Sequence, residues 1–135
     1  MTDSRHFTQW AAQFAVASEL CKLGYLVAFT TGNATPEADL MVMSPQRQSF
    51  LIDVKGQKAN SFWRIRDRKT LPNLFYVLAV VPRSKPNSFF VLSHAEVNRL
   101  MKAYERSGVK YDPRFSGFNP GSIAPYKDRW DVLPS

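Results

Sequence analysis

The chain has 135 residues, 44% hydrophobic and 21% charged, which is ordinary for a globular protein and enough for one domain with its own core. Its net charge of +7 and pI of about 9.8 suit a polyanionic partner. No apolar run reaches the ~18 residues of a membrane span, the opening MTDSRHFTQW lacks the pattern of a signal peptide, and Cys21 is the single cysteine, so we expect no membrane, no disulfide framework and a reducing cytoplasm.

Residues 1–6 read as a loose or capping segment. Phe7 to Leu23 reads as a helix whose apolar face is Trp10, Phe14, Ala17 and Cys21, with Ala11, Val16, Leu20 and Leu23 nearby, and Gly24 ends it. Tyr25 to Thr30 is β-prone. A polar loop, Thr31 to Pro36, then leads into two short strands, Asp39 to Met43 and Ser49 to Lys55, separated by the turn residues Pro45 to Gln48. If the turn centres near Gln46, antiparallel pairing places Asp39 opposite Asp53, with Cβ atoms roughly 5 Å apart. Lys55 shares the face of Asp53, while Leu40, Val42, Ile52 and Val54 take the other. Two acids that close repel unless a positive charge lies between them. One reading is a divalent metal such as Mg²⁺, a cation that prefers oxygen ligands, with Lys55 beside it. The other is a cross-strand Asp–Lys salt bridge at a strand end. Glu37, two residues before Asp39, reads either as an additional acid on that face or as a solvated loop residue.

After Lys55, Gly56 permits a close backbone approach, and Gln57 continues the Asp53–Lys55 face. In Asn60 to Lys69, Trp63 and Ile65 alternate with Arg64, Arg66 and Arg68, a strand period with one apolar and one basic face. Lys58, Arg64, Arg66, Arg68 and Lys69 are therefore either a phosphate-binding stripe or the solvated face of an edge strand. Leu74 to Val81 is a continuous apolar run, expected to be a central strand buried on both faces. Ser88 to Leu92 is a further strand. Ser93 and Glu96 form a capping box for a helix from His94 to Arg106, with Val97, Leu100, Met101 and Tyr104 as its core stripe and His94 expected at the surface. Residues 108–135 lack periodicity but carry Tyr111, Phe115, Phe118, Tyr126 and Trp130. They read as an irregular aromatic arm folded onto the single domain 1–135, with a short helix around Tyr126–Leu133. The whole reads as an α/β fold with a mixed central β-sheet flanked by helices.

Pro36-Glu37-Ala38-Asp39, thirteen intervening residues, then Asp53-Val54-Lys55 resembles the motif of the PD-(D/E)XK nuclease superfamily, near its small members related to Holliday-junction resolvases and to uncharacterised endonuclease-like proteins. Gln13-x-x-Val16-x-x-x-Leu20-x-x-x-Gly24 resembles the superfamily's first helix, with Gln13 where Glu is usual. The likeness covers roughly Gln13 to Tyr104; a crossover helix after Lys55 is not evident. It implies a restriction-endonuclease-like sandwich and metal-dependent hydrolysis of DNA phosphodiesters. Asp39, Asp53 and the Val54 carbonyl would hold Mg²⁺ (or Mn²⁺), and Lys55 would act on the attacking water. Gln13, Glu37 and Gln57 would support them. A symmetric dimer follows from the same analogy. The alternatives are a non-catalytic nucleic-acid-binding module and a subunit of a defence or repair complex, either of which keeps the fold.

Overall fold

The computed structural model describes residues 4–30, 38–108 and 110–135. Its centre is a mixed five-stranded sheet. In spatial order the strands are β1 (Leu26–Phe29), β2 (Leu40–Met43), β3 (Ser49–Gln57), β5 (Leu74–Val80) and β6 (Ser88–Ser93). All neighbours are antiparallel except β3 and β5. Helix α1 (Ser4–Lys22) covers one face, and α2 (His94–Glu105) packs with the C-terminal arm against the other. Among the described residues, no helix is long and apolar enough to cross a membrane.

The sheet separates two cores by strand alternation. Phe75, Val77 and Ala79 of β5 join Ala12, Val16 and Leu20 of α1, together with Leu40, Val42, Ile52 and Val54 of the hairpin. Leu74, Tyr76 and Leu78 join Val97 and Met101 of α2 and Trp63, Phe118 and Ile123. Both faces of β5 are thus buried, as its unbroken apolar sequence requires.

Helix α1 differs from expectation in its facing. Its buried residues are Ala12, Gln13, Val16, Ala17 and Leu20; Ala11, Phe14 and Cys21 are exposed, Trp10 is half-buried, and Phe14 packs instead on exposed Phe29 at 5.3 Å. A small residue, Ala12, faces Gly56 because the helix lies very close to β3 there. A Cβ on Gly56 would come within 2.5 Å of the Ala12 Cβ. So Gly56 serves a helix–strand approach here. The helix ends as its sequence indicated. Gly24 takes φ 89°, Tyr25 N–H reaches Leu20 O at 3.1 Å and Gly24 N–H reaches Cys21 O at 3.0 Å, the paired bonds of a Schellman motif.

The parallel β3–β5 pair needs a crossover. Residues 58–73 make it without a helix. The strand expected from Asn60 to Lys69 is reduced to β4 (Trp63–Arg64), which pairs with β7 (Gly117–Phe118) of the arm. The burial alternation holds at Trp63 and Ile65; two residues pair with the arm, and Ile65 N–H on Ser116 O at 3.0 Å ends the contact. The arm is irregular, and 3₁₀ turns at Pro120–Tyr126 and Trp130–Val132 replace the single short helix. It crosses edge strand β6, where Asp128 N–H bonds Phe89 O at 2.9 Å, and so covers that edge. It then reaches the α1 core through Trp130 and Leu133. On the opposite half of the outer face, Leu26, Met41 and Met43 are exposed beside half-buried Leu51.

Candidate functional site

The β2–β3 register pairs Leu40 with Ile52 and Met43 with Ser49, so its continuation sets Asp39 opposite Asp53. The turn that fixes this register closes with Ser44 N–H on Gln48 O at 2.8 Å, and Arg47 takes a left-handed conformation at φ 67°. A one-residue slip would send Asp53 into the α1 core and turn Ile52 away from it.

All four carboxylate oxygens of the pair have protein donors. Asp39 Oδ2 accepts from Val54 N–H at 2.8 Å, and Asp39 Oδ1 from Gln13 Nε2 at 3.4 Å. Asp53 Oδ1 lies 3.2 Å from Lys55 Nζ, and Asp53 Oδ2 lies 3.1 Å from Arg68 Nη2. Arg68 Nε also donates to the Tyr76 hydroxyl at 3.2 Å; Tyr76 is the β5 residue paired with Asp53. Two acids are thus balanced by two cations. Asp39 is still pushed up from its usual 3.8 to about 6. Burial is the main cause, and the negative charge of Asp53 adds to it; the Val54 N–H and the Lys55 charge oppose. Burial and the Asp53 charge also raise the Tyr76 phenol, against Arg68.

Gln9 was not singled out from sequence, yet it clamps the backbone on both sides of Lys55. Its Nε2 donates to Val54 O at 2.7 Å, and its Oε1 accepts from Gly56 N–H at 3.2 Å. The signal was its position one helical turn before Gln13, on the same face. Gln13 itself is buried and bonded to Asp39.

The remaining predicted residues are dispersed. Gln57 is engaged within its own loop: its Nε2 donates to Phe62 O at 2.8 Å, and its Oε1 accepts from Ser61 N–H at 2.9 Å. Lys58 lines a cleft with Arg5, Thr8, Gln9 and Gly56. Lys69 lines a different groove, between its own segment and α2. Arg64 is exposed and stacks on Phe115, 4.7 Å from the ring centroid, and Arg66 is exposed. Arg68 turns inward to Asp53, because the chain leaves strand geometry after β4 and alternation no longer sets its direction. The five basic residues therefore do not form one stripe. Glu37 lies outside the described residues.

His94, expected at the surface, is 1% exposed. The Ser93–Glu96 capping box forms as expected, and His94, at the first position of α2, turns in beneath Tyr76, with ring centroids 5.5 Å apart. Its Nδ1 accepts from Leu71 N–H at 2.9 Å, which places the proton on Nε2, and Nε2 has no hydrogen-bond partner among the described residues. Burial lowers its pKa, helped by the Arg68 charge, which favours the neutral ring.

Among the described residues no three His, Cys, Asp or Glu side chains come together as a metal-binding group; the carboxylates that face each other are the two of Asp39 and Asp53. Burial, and after it the Asp53 charge, raises Asp39, and a divalent cation between the two facing carboxylates would offset both. Such an ion would displace donors already in place, Arg68 and Gln13 among them. No protein-family model matches this chain, and no curated protein or solved structure matches it significantly.

Proposed function

We propose that the chain is a metal-dependent nuclease of the PD-(D/E)XK superfamily, with a restriction-endonuclease-like fold, that hydrolyses DNA phosphodiesters in the cytoplasm. The observation that carries this reading is the facing Asp39–Asp53 pair with Lys55 on the same strand, placed on the central strand of a mixed sheet flanked by helices. Asp39, Asp53 and the Val54 carbonyl would hold Mg²⁺ or Mn²⁺, which when bound supplies Lewis-acid activation and a water of lowered pKa. Lys55 orients the attacking water and stabilises the negative charge that grows on the phosphate oxygens. Gln9 fixes the peptides on either side of Lys55 and so aims that strand. Gln13 holds Asp39 in the metal-free protein and would give way to the ion. Lys58, Arg64, Arg66 and Lys69 are the candidate phosphate contacts, and a homodimer would present two such sites.

A second reading is a non-catalytic nucleic-acid-binding module, alone or in a defence or repair complex. It is favoured by the completeness of the hydrogen bonding around both acids and by Gln13 in the helix position where the superfamily usually has Glu. Calorimetric titration of Mg²⁺ and Mn²⁺ into the wild type and Asp53→Asn, with and without a DNA duplex, separates the two. Binding lost in the variant supports the nuclease. Duplex binding that is salt-dependent but indifferent to metal and to Asp53 favours the module.

A further inference from the structure

We propose that Arg68 is a latch on the acidic pair. Its guanidinium holds the place beside Asp53 that a divalent cation would take, and it leaves for a phosphate when nucleic acid arrives. The inference rests on the metal-site reading above and deepens it by coupling metal entry to substrate.

Lys55 and Arg68 both neutralise Asp53, but they are held differently. Lys55 lies two residues from Asp53 on β3 and stays beside it. Arg68 comes from the irregular segment between β4 and β5, where its backbone direction is not set by a sheet ladder. Its perch is neutral: the Tyr76 hydroxyl accepts from Nε at 3.2 Å, and the guanidinium carbon lies 5.7 Å from the Tyr76 ring centroid. Tyr76 is 1% exposed and rests on buried His94, so the perch is rigid. A perch of this kind positions the guanidinium without cancelling its charge.

The charge balance gives the latch its effect. With Arg68 in place, Asp39 and Asp53 face two cations, and the cluster is neutral when both acids are ionised. With Arg68 gone, two carboxylates face Lys55 alone, and the site gains the negative charge that draws a divalent ion. A guanidinium suits this exchange, because its N–H donors match both carboxylate and phosphate oxygens. Metal and nucleic acid would then bind with positive and reciprocal coupling.

The test is Mn²⁺ titration of the wild type, Arg68→Gln, Tyr76→Phe and Asp53→Asn, each alone and with a short DNA duplex, after subtraction of Mn²⁺ binding to the duplex. Loss of a charge-assisted bond predicts that Arg68→Gln binds Mn²⁺ alone about tenfold or more tighter than the wild type. Tyr76→Phe, which weakens only the perch, moves the same way by less. The duplex tightens Mn²⁺ binding to the wild type and adds little to Arg68→Gln. Equal or weaker Mn²⁺ binding by Arg68→Gln, or a duplex effect of the same size in both, overturns the latch. Circular dichroism checks that Arg68→Gln is folded; if it is not, Tyr76→Phe decides, and no gain there overturns the latch. Wild-type binding that is lost in Asp53→Asn without a gain in Arg68→Gln defeats the latch alone. No binding by any form, with or without duplex, defeats the metal-site reading and the latch with it.

Discussion

Asp39→Asn should stabilise the metal-free protein at neutral pH while removing a metal ligand. The Asp39 carboxyl titrates at about 6 in the folded chain against 3.8 as its ordinary value. Between those values the folded state binds more protons than the unfolded state, so wild-type stability falls as pH rises through that window. A shift of about two units corresponds to a ceiling of ~3 kcal/mol. Asp39 is partly exposed, and solvent screening brings the expected effect to on the order of 1–2 kcal/mol. The asparagine oxygen still accepts from Val54 N–H, and the Gln13 amide flips to accept from the new NH₂ group, so no bond need be lost. Urea unfolding with chelator present, from pH 4.5 to 8, measures the difference between variant and wild type. It should grow toward stabilisation as pH rises to about 6 and then level off. The opposite-signed dependence from His94 is common to both proteins and cancels in the difference. A variant less stable than wild type at pH 8, or a difference that does not change with pH, would refute the reasoning that Asp39 is ionised at a cost.

Three further outcomes follow from the same geometry. Gln9→Ala removes two hydrogen bonds that flank Lys55 and should destabilise by about 1–2 kcal/mol in urea unfolding; wild-type stability would mean the clamp is not formed in solution. Gly56→Ala forces a methyl against Ala12 and should cost about 1–3 kcal/mol by overpacking, with recovery in the Gly56→Ala, Ala12→Gly double variant; thermal melts of the four proteins check it, and additive effects would count against the close approach. Lys55→Ala should lower the rate of duplex cleavage by about 10²–10³ while duplex affinity changes little; a loss confined to binding would place Lys55 among the phosphate contacts.

Much of the site was legible because a strand has a period of two. Alternation together with the turn at Pro45–Gln48 was enough to set Asp39 across from Asp53 and Lys55 on the same face. The unbroken apolar run of β5, the Ser93–Glu96 cap and the Gly24 stop are also local signals, each carried by residues adjacent in sequence. What the tertiary structure alone decided concerns which neighbour covers a residue. Helix α1 could have buried Phe14, but it packs through Ala12, Val16 and Leu20, with Ala12 required where the helix meets Gly56, and Phe14 turns outward. His94 sits in the first turn of a helix, a position that is usually wet, and becomes buried because Leu71 and Tyr76 cover it from other segments. Arg68 belongs by spacing to an exposed basic face, yet it turns in to Asp53. Alternation predicts direction only where a ladder of hydrogen bonds holds the backbone extended; the bonding to the arm ends at Ile65, and Arg68 beyond it reaches Asp53 and the Tyr76 hydroxyl.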